Sequence, residues 1–188
     1  APTWTTITPP AQQLSAAFTA GGTGGSAITE YRYSTDGGTT WLTRQTGTTE
    51  SPLVITTLSS DGSTALSNGT SYDVQVRAVN AQGSGTASAT VTATPVTTPD
   101  VSTLNTITPT TQQLSAAVTA GGTGGSAITE YRYSTDGGTT WLTRQTGTTE
   151  SPLAITTLPS DVSTALSNGT TTDDQVRALN GHGAATAS

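Results

Sequence analysis

The stretch STDGGTTW at residues 34–41 decides the predicted fold, and it returns unchanged at residues 134–141. Before it lies Ala27–Tyr33, which is rich in β-branched and aromatic residues that favour a strand. Asp36-Gly37-Gly38 supplies the positive φ angles that a tight turn needs, and Thr39–Leu42 is predicted to run back as the partner strand. The sequence therefore predicts a β-hairpin that is written twice.

The composition favours strands and turns, and it argues against several classes of protein. Threonine, glycine, serine and alanine are abundant, and 188 residues allow two small domains. All six basic residues are arginines and the net charge is −6, which is not the pattern of a nucleic-acid binder or of a polybasic membrane-surface protein. Cysteine is absent, so a disulfide or thiolate metal site is excluded. No apolar run has the length of a membrane span, so we expect no membrane insertion.

An internal repeat dominates the chain. When residue numbers are shifted by 100, Gln12–Leu53 and its second copy differ at one position only, Phe18 against Val118. The sequence therefore predicts a first domain at residues 1–95, a proline-stiffened linker at residues 96–100 and a second domain at residues 101–188.

Short strands separated by turn residues run through the first copy. Tyr72, Val74, Val76 and Ala78 alternate with polar residues and form the cleanest period-2 pattern in the chain. The other predicted strands are Thr3–Thr8, Gln13–Thr19, Ala27–Tyr33 with its return strand Thr39–Leu42, Pro52–Thr57 and Thr86–Thr94. About seven short strands in about one hundred residues predict an all-β fold of two tandem β-sandwiches.

Residues Leu66–Asn80 resemble the end of a fibronectin type III domain, an immunoglobulin-like sandwich. That family has a leucine six residues before a strand tyrosine, here Leu66 and Tyr72, followed by alternating apolar residues. Ala27–Tyr31 looks like the family's third strand, and Phe18 stands where the family usually has tryptophan. The resemblance is nearest to the versions in bacterial secreted proteins and phage virion proteins, and it implies a fold more firmly than a function.

The second copy departs from this pattern near its end. Thr172 replaces Tyr72 and Asp174 replaces Val74, which places a carboxyl group on the predicted inner face. The sequence also lacks a counterpart of Ala89–Thr94, so the last strand of the second sandwich is predicted to be incomplete. We expect an open edge at Gln175, Val176 and Arg177 that either accepts a strand from another protein subunit or is completed by a continuation of the chain past Ser188.

The repeated stretch also fits Ser-x-Asp-x-Gly-x-Thr-Trp, the Asp-box pattern of sialidase propellers. Propeller blades would recur at a closer spacing than one hundred residues, so the pattern is interpreted as a structural hairpin and not as a sialidase signature. The expected structural residues are Ser34, Asp36, Gly38 and Trp41 in the first copy and Ser134, Asp136, Gly138 and Trp141 in the second.

Other candidate sites have simpler interpretations. The arginines at alternating strand positions, such as Arg32 and Arg77, are expected to be solvated and not to form an anion site. Asp36 with Asp61, or Asp173 with Asp174, shows no arrangement for glycoside hydrolysis. His182 is the single histidine, which argues against a repeated metal or serine–histidine site. The Asn-Gly-Thr sequons at residues 68–70 and 168–170 are explained by turn geometry. No catalytic residue, metal or cofactor is expected.

The function that the sequence favours is a non-enzymatic structural or attachment module. It would act as a stalk, spacer or decoration at the surface of a virion or cell, outside the cytoplasm, and its partners would be other protein subunits. One alternative is a spacer or carbohydrate-contacting module of a secreted polysaccharide-degrading enzyme, for which a surface glycan is a possible partner. Another is a protein-binding adhesin.

Overall fold

The computed structural model describes residues 1–44, 47–144, 148–159 and 161–188. The described chain consists of antiparallel strands, turns and loops, with no helix, so the prediction of an all-β protein is confirmed. It divides into two compact units, Ala1–Val96 (unit 1) and Thr97–Ser188 (unit 2).

Unit 1 has two sheets. The strands in chain order are β1 (Thr3–Thr8), β2 (Leu14–Thr19), β3 (Ile28–Ser34), β4 (Leu42–Thr43), β5 (Leu53–Ile55), β6 (Tyr72–Asn80), β7 (Gly83–Ser84) and β8 (Val91–Ala93). One sheet has the order β1-β2-β5. The other has the order β4-β3-β6-β7, and β8 also pairs with β6.

Unit 2 repeats most of this arrangement. Its strands are β9 (Thr103–Thr110), β10 (Gln113–Thr119), β11 (Glu130–Ser134), β12 (Leu142–Thr143), β13 (Leu153–Ile155), β14 (Thr157–Leu158), β15 (Asp161–Ala165), β16 (Gln175–Asn180) and β17 (Gly183–Ala184). The sheets are β9-β10-β13 and β12-β11-β16-β17, with β14 and β15 forming a separate pair.

In each unit both sheets contribute to one hydrophobic core, which makes the fold sandwich-like. In unit 1, Leu14 and Phe18 from the first sheet are buried in the same cluster as Tyr31, Tyr33 and Val74 from the second. Phe18 packs edge-on against Tyr31, with ring centroids 4.6 Å apart, and Trp4 packs edge-on against Phe18 at 6.4 Å. Unit 2 has Leu104 and Val118 at those positions, so its core lacks both aromatic contacts.

Most predicted strands of unit 1 differ in extent from the observed ones, and two differ most. The return strand was expected at Thr39–Leu42, but the paired residues are Leu42 and Thr43, because Thr39 and Thr40 bond to Asp36 instead. The predicted last strand Thr86–Thr94 is realised only as β8, and β7 lies before it. The prediction for Thr3–Thr8 agrees with β1.

The segment between β13 and β16 differs from its counterpart in unit 1. In unit 1 the Gly62 N–H donates to Leu58 O at 3.0 Å, and Gly62 has φ 68°. Valine stands at position 162, and a β-branched residue strongly disfavours positive φ. Unit 2 instead forms the β14–β15 pair, with Thr157 opposite Ala165.

The segment predicted as a linker, residues 96–100, is bound to unit 2 over most of its length. The Thr97 N–H donates to Gly124 O and the Asp100 N–H to Gly122 O, each at 2.8 Å. The buried Asn180 also donates its Nδ2 hydrogens to Thr97 O, at 2.8 Å. Thr97–Asp100 therefore pack on the glycine-rich loop of unit 2 instead of forming a free connection.

Candidate functional site

The repeated hairpin is held by hydrogen bonds among its own side chains. Ser34 Oγ donates to Asp36 Oδ1 at 2.7 Å and accepts from the Gly38 N–H at 2.8 Å. The Asp36 carboxylate also accepts from the Thr40 N–H at 2.9 Å and from Thr40 Oγ1 at 2.6 Å. These bonds close a loop between β3 and β4, so the serine and aspartate of the motif are occupied in shaping the turn.

Trp41 also contacts the turn of the hairpin. Its indole N–H donates to Gly38 O at 2.9 Å, and the Arg77 guanidinium carbon lies 4.1 Å from a Trp41 ring centroid. Gly38 has φ 93°, and a Cβ there would come within 2.5 Å of Gln75 Oε1. Glycine is favoured at this position because its backbone angle is strained for any other residue, and a Cβ there would also require the Gln75 side chain to move.

The hairpin of unit 2 has the same geometry. Ser134 Oγ donates to Asp136 Oδ1 at 2.7 Å, and the Gly138 N–H donates to Ser134 Oγ at 2.9 Å. The Trp141 indole N–H donates to Gly138 O at 2.9 Å, and Arg177 lies over Trp141 at 4.1 Å. The predicted hairpin residues therefore come together in both copies.

The electrostatics of the hairpin aspartates are those of structural carboxylates. Hydrogen bonds from Thr140 and Ser134 lower the pKa of Asp136 to about 2. Burial raises the pKa of Asp36, but the bonds from Thr40 and Ser34 outweigh it and leave that pKa below its ordinary value. A general acid at neutral pH needs the opposite shift, so these groups are poorly suited to protonate a leaving group.

The arginines are engaged within their own units. Arg32 Nε donates to Glu30 Oε1 at 2.7 Å, and Arg77 stacks on Trp41. The buried Arg44 donates from Nη1 to Glu50 O and from Nη2 to Pro52 O, the latter at 2.8 Å. Arg132, Arg177 and Arg144 repeat these three roles in unit 2. Sequence reasoning missed the role of Arg44, because its carbonyl partners are set by loop geometry that no sequence pattern reveals.

The edge of β6 in unit 1 is closed by β8. Tyr72, Asp73 and Val74 pair with Ala93, Thr92 and Val91 respectively. Nearby, the Trp4 indole N–H donates to Ala89 O at 2.8 Å. The chain from Ala89 to Ala93 therefore covers this end of the core and supplies backbone partners to it.

The corresponding edge in unit 2 lies at a different position from the one predicted. Val176 was expected to have free backbone groups, but its N–H donates to Ser188 Oγ at 3.1 Å and its carbonyl accepts from the Ser188 N–H at 3.0 Å. The predicted open edge at Gln175, Val176 and Arg177 is thus corrected, because the chain's own last residue covers its centre. Within the described chain, it is residues 172–174 that lack the strand partner that β8 provides in unit 1, and β16 begins only at Gln175.

A cleft of about 360 Å³ opens beside these residues. We call it the edge cleft; its lining residues are Val101, Ser102, Thr103, Leu104, Asp174 and Ser188. Two of its lining residues are polar where unit 1 has apolar ones: Ser102 is the counterpart of Pro2, and Asp174 is the counterpart of Val74. Leu104 is the counterpart of Trp4, so the side chain at this position of the lining is also smaller. Sequence reasoning identified Asp174 but missed Ser102, which becomes notable only beside it.

Both new polar groups of the edge cleft have unpartnered buried atoms. Ser102 is 0% exposed, and neither its Oγ nor Asp174 Oδ1 has a hydrogen-bond partner. The other carboxylate oxygen, Asp174 Oδ2, accepts from Thr172 Oγ1 at 2.9 Å. Burial, with a smaller contribution from Asp173, raises the pKa of Asp174 despite the Thr172 bond. A buried polar atom without a partner is costly, and the edge cleft holds two of the five such side-chain atoms in the described chain.

The remaining candidate residues show no site. The described residues contain no group of three or more histidine, aspartate or glutamate side chains placed to hold a metal ion. Asn68 Oδ1 accepts from the Gln12 N–H at 2.7 Å, and Asn168 repeats this bond with Gln112 at 2.9 Å, so both sequon asparagines support turns. Over the same part of the chain, no helix is long and apolar enough to cross a membrane.

No protein-family model matches the chain, and no curated protein matches it significantly. The functional interpretation therefore depends on the residues and their geometry.

Proposed function

We propose that the chain is a non-enzymatic structural or attachment module, made of two fibronectin type III-like sandwiches and exposed on a virion or cell surface. The observation that carries the proposal is the hairpin, the most distinctive motif in the sequence. Its serine, aspartate and tryptophan polar groups are occupied in holding the turn, in both copies. A motif of this kind contributes rigidity and leaves few groups for chemistry.

The contacts of Tyr72 support the family resemblance. Tyr72 Oη accepts from the Ser67 N–H at 2.9 Å, five residues upstream, as in the tyrosine corner of immunoglobulin-like sandwiches. The sheet order β4-β3-β6-β7 opposite β1-β2-β5 is also compatible with such a sandwich. Unit 2 has Thr172 at this position, so it would be a degenerate member.

A module of this kind attaches to a partner subunit through an exposed strand edge or through its loops. The alternative of a carbohydrate-contacting spacer in a secreted polysaccharide-degrading enzyme would require an accessible aromatic platform. Trp41 and Trp141 are partly covered and stack with arginines, which favours the structural role.

The proposal is tested by locating the protein and by assaying it. Immunogold electron microscopy with an antibody against the chain should label virions or cell surfaces at regular positions, and antibody pre-absorbed with purified chain is the control. Labelling confined to the cytoplasm would contradict the proposal. So would sialoside or glycan turnover by the purified chain that Asp36→Asn abolishes.

A further inference from the structure

We propose that each unit binds a carboxylate group carried by an acidic segment of a partner protein, at Arg32 and Arg77 in unit 1 and at Arg132 and Arg177 in unit 2. This inference rests on the proposed attachment function and specifies the chemistry of the partner. The observation that carries it is a pair of opposed arginines, one of which has a buried hydrogen-bond donor without a partner in both copies.

The two arginines of unit 1 lie side by side on the face of the sheet that points away from the core. Arg32 on β3 is directly opposite Arg77 on β6. Their strand neighbours Tyr31, Tyr33 and Val76 are buried, so both arginines project from the opposite face. Like charges directly opposite each other are unfavourable, and an anion bound between them would relieve the repulsion.

One arginine of this pair has a carboxylate partner and the other has none. Arg32 Nε donates to Glu30 Oε1 at 2.7 Å, whereas no carboxylate of the described residues lies within salt-bridge distance of Arg77. Burial, and to a smaller extent the charge of Arg32, lowers the pKa of Arg77, but a guanidinium remains charged at neutral pH. Arg77 therefore keeps a charge that the described chain does not balance locally.

Trp41 holds the Arg77 guanidinium by its face and leaves its edges available. The guanidinium carbon lies 4.1 Å from a Trp41 ring centroid. Arg77 Nε is buried and has no hydrogen-bond partner, which departs from the expectation that this arginine is solvated. Stacking on an aromatic ring leaves the planar fork of N–H donors free, and this fork matches the two oxygens of a carboxylate.

Unit 2 repeats the site. Arg132 is directly opposite Arg177, and Arg132 Nε donates to Glu130 Oε1 at 2.8 Å. The Arg177 guanidinium carbon lies 4.1 Å from a Trp141 ring centroid, and Arg177 Nε is again buried without a partner. Two copies of one site allow a partner with repeated acidic residues to be held at more than one point.

An acidic protein segment fits this site better than a free small anion. The arginines lie on an open sheet face, where 37% of the Arg32 side chain is exposed, so a ligand is not enclosed. An extended peptide presents every second side chain to the same side. A strand-like segment with alternating glutamates can therefore lie across the face and bring a carboxylate to the arginine pair without entering the core.

An NMR titration of the full chain tests the proposal through the arginine Nε–H signals, which are few because the sequence has six arginines. One capped peptide alternates threonine with glutamate, and the matched peptide has glutamine in place of glutamate. The glutamate peptide should shift the signals of Arg77 and Arg177 and leave those of the buried Arg44 and Arg144 unchanged. Arg77→Gln with Arg177→Gln should weaken binding about tenfold or more, as expected for losing a hydrogen bond between charged groups.

Glu30→Gln with Glu130→Gln tests the proposal in the opposite direction, because it removes the carboxylate that competes for the neighbouring arginine. This double variant should tighten binding of the glutamate peptide by about threefold, the size of an exposed ion pair. Glu50→Gln with Glu150→Gln is the matched control. It changes the net charge equally, and both glutamates are exposed and form no salt bridge within the described chain.

Equal shifts by both peptides, shifts by neither, or an equal effect of the Glu30 and Glu50 double variants would overturn the proposal. Trigalacturonate is the acidic sugar for comparison, and tighter binding of it than of the glutamate peptide would overturn the assignment to a protein partner. If Arg77→Gln impairs folding, the Glu30 and Glu50 double variants still decide the outcome. Failure of peptide binding with correct surface labelling would refute this site alone, whereas absence of surface labelling would refute the proposed function.

Discussion

Units 1 and 2 have the same residue at most positions, but they differ in the part of the core around residues 72–74. The near-identical stretch from Gln12 to Leu53 produces the same hairpin, with matching hydrogen-bond lengths and the same arginine–tryptophan stack. Most of the differences lie outside this stretch, including positions 2, 4, 59, 62, 72 and 74 of unit 1. A local motif is thus preserved when the core beside it changes, because its hydrogen bonds are made within a few residues.

The substitutions of aromatic residues between the two units all reduce side-chain size. Trp4, Phe18 and Tyr72 of unit 1 are replaced in unit 2 by Leu104, Val118 and Thr172, all smaller. The aromatic contacts and the Tyr72–Ser67 hydrogen bond are lost with them. The comparison therefore indicates a well-packed unit and a weakened unit that has gained a polar cleft.

The largest expected effect is a difference in stability between the units. Truncating a buried aromatic to alanine costs about 3–5 kcal/mol, and three aromatics become smaller in unit 2, so unit 2 should unfold first. Hydrogen exchange on the full chain can follow peptides 72–80 and 172–180, which differ in mass. Earlier loss of protection in 172–180 as urea increases is expected. Equal protection, or earlier loss in 72–80, would contradict the comparison. Separately expressed residues 1–95 should likewise melt at a higher temperature than the second half.

Val74→Asp should lower the stability of unit 1, because it introduces the aspartate that unit 2 has at position 174. It buries an unpaired carboxylate under β8, so we expect unit 1 to lose about 3–5 kcal/mol in urea unfolding of the full chain. Val54→Asp is the matched control, because Val54 is 40% exposed on β5 and the same exchange there should change stability by about 0.5 kcal/mol or less. A similar loss from both variants would show that burial at Val74 is not the cause.

A smaller difference should come from Ser59. Its Oγ accepts from the Thr35 N–H at 2.9 Å and lies 2.8 Å from Thr40 Oγ1, whereas unit 2 has proline at position 159. Ser59→Ala should lower the stability of unit 1 by about 0.5–1.5 kcal/mol, measured by urea unfolding. Ser60→Ala, at the exposed neighbouring position, is the control. No change on removing Ser59 Oγ would mean that this network adds nothing to unit 1.

The smallest expected effect is a dependence of stability on pH. Asp174 and Asp136 should contribute to it with opposite signs. The pKa of Asp174 is raised, so the folded state holds its proton longer and unit 2 loses stability as pH rises through that pKa. The pKa of Asp136 is about 2, so its contribution is present above the ordinary aspartate pKa and is lost as pH falls toward 2.

Melting temperatures of the full chain between pH 2 and pH 7 would separate these two contributions. Asp174→Asn should flatten the decline on the higher-pH side, and Asp136→Asn the decline on the acid side. Asp173→Asn is the control for the former. A profile that Asp174→Asn leaves unaltered would contradict the assignment.

The sequence predicted what local patterns determine. Alternation placed the strand at Tyr72–Ala78, and the glycines after Asp36 placed the turn, because both depend on nearby residues. The position of the open edge was wrong because Ser188 folds back onto Val176, a contact that depends on the path of the last turn. Ser102 was missed because the sequence does not show that residue 102 lies beside Asp174 in space.

The bound segment Thr97–Asp100 has a mechanical consequence. A free stretch of these four residues could extend by about 3.3–3.6 Å per residue under tension. In the folded chain its ends are fastened to Gly124 and Gly122 by short backbone hydrogen bonds, and Asn180 holds Thr97 as well. A pulling force would load these bonds before it reaches β9, and their rupture would free a segment whose fully extended length is about 14 Å at most. Thr97–Asp100 would thus be the first part of unit 2 to yield under tension applied from its N-terminal side.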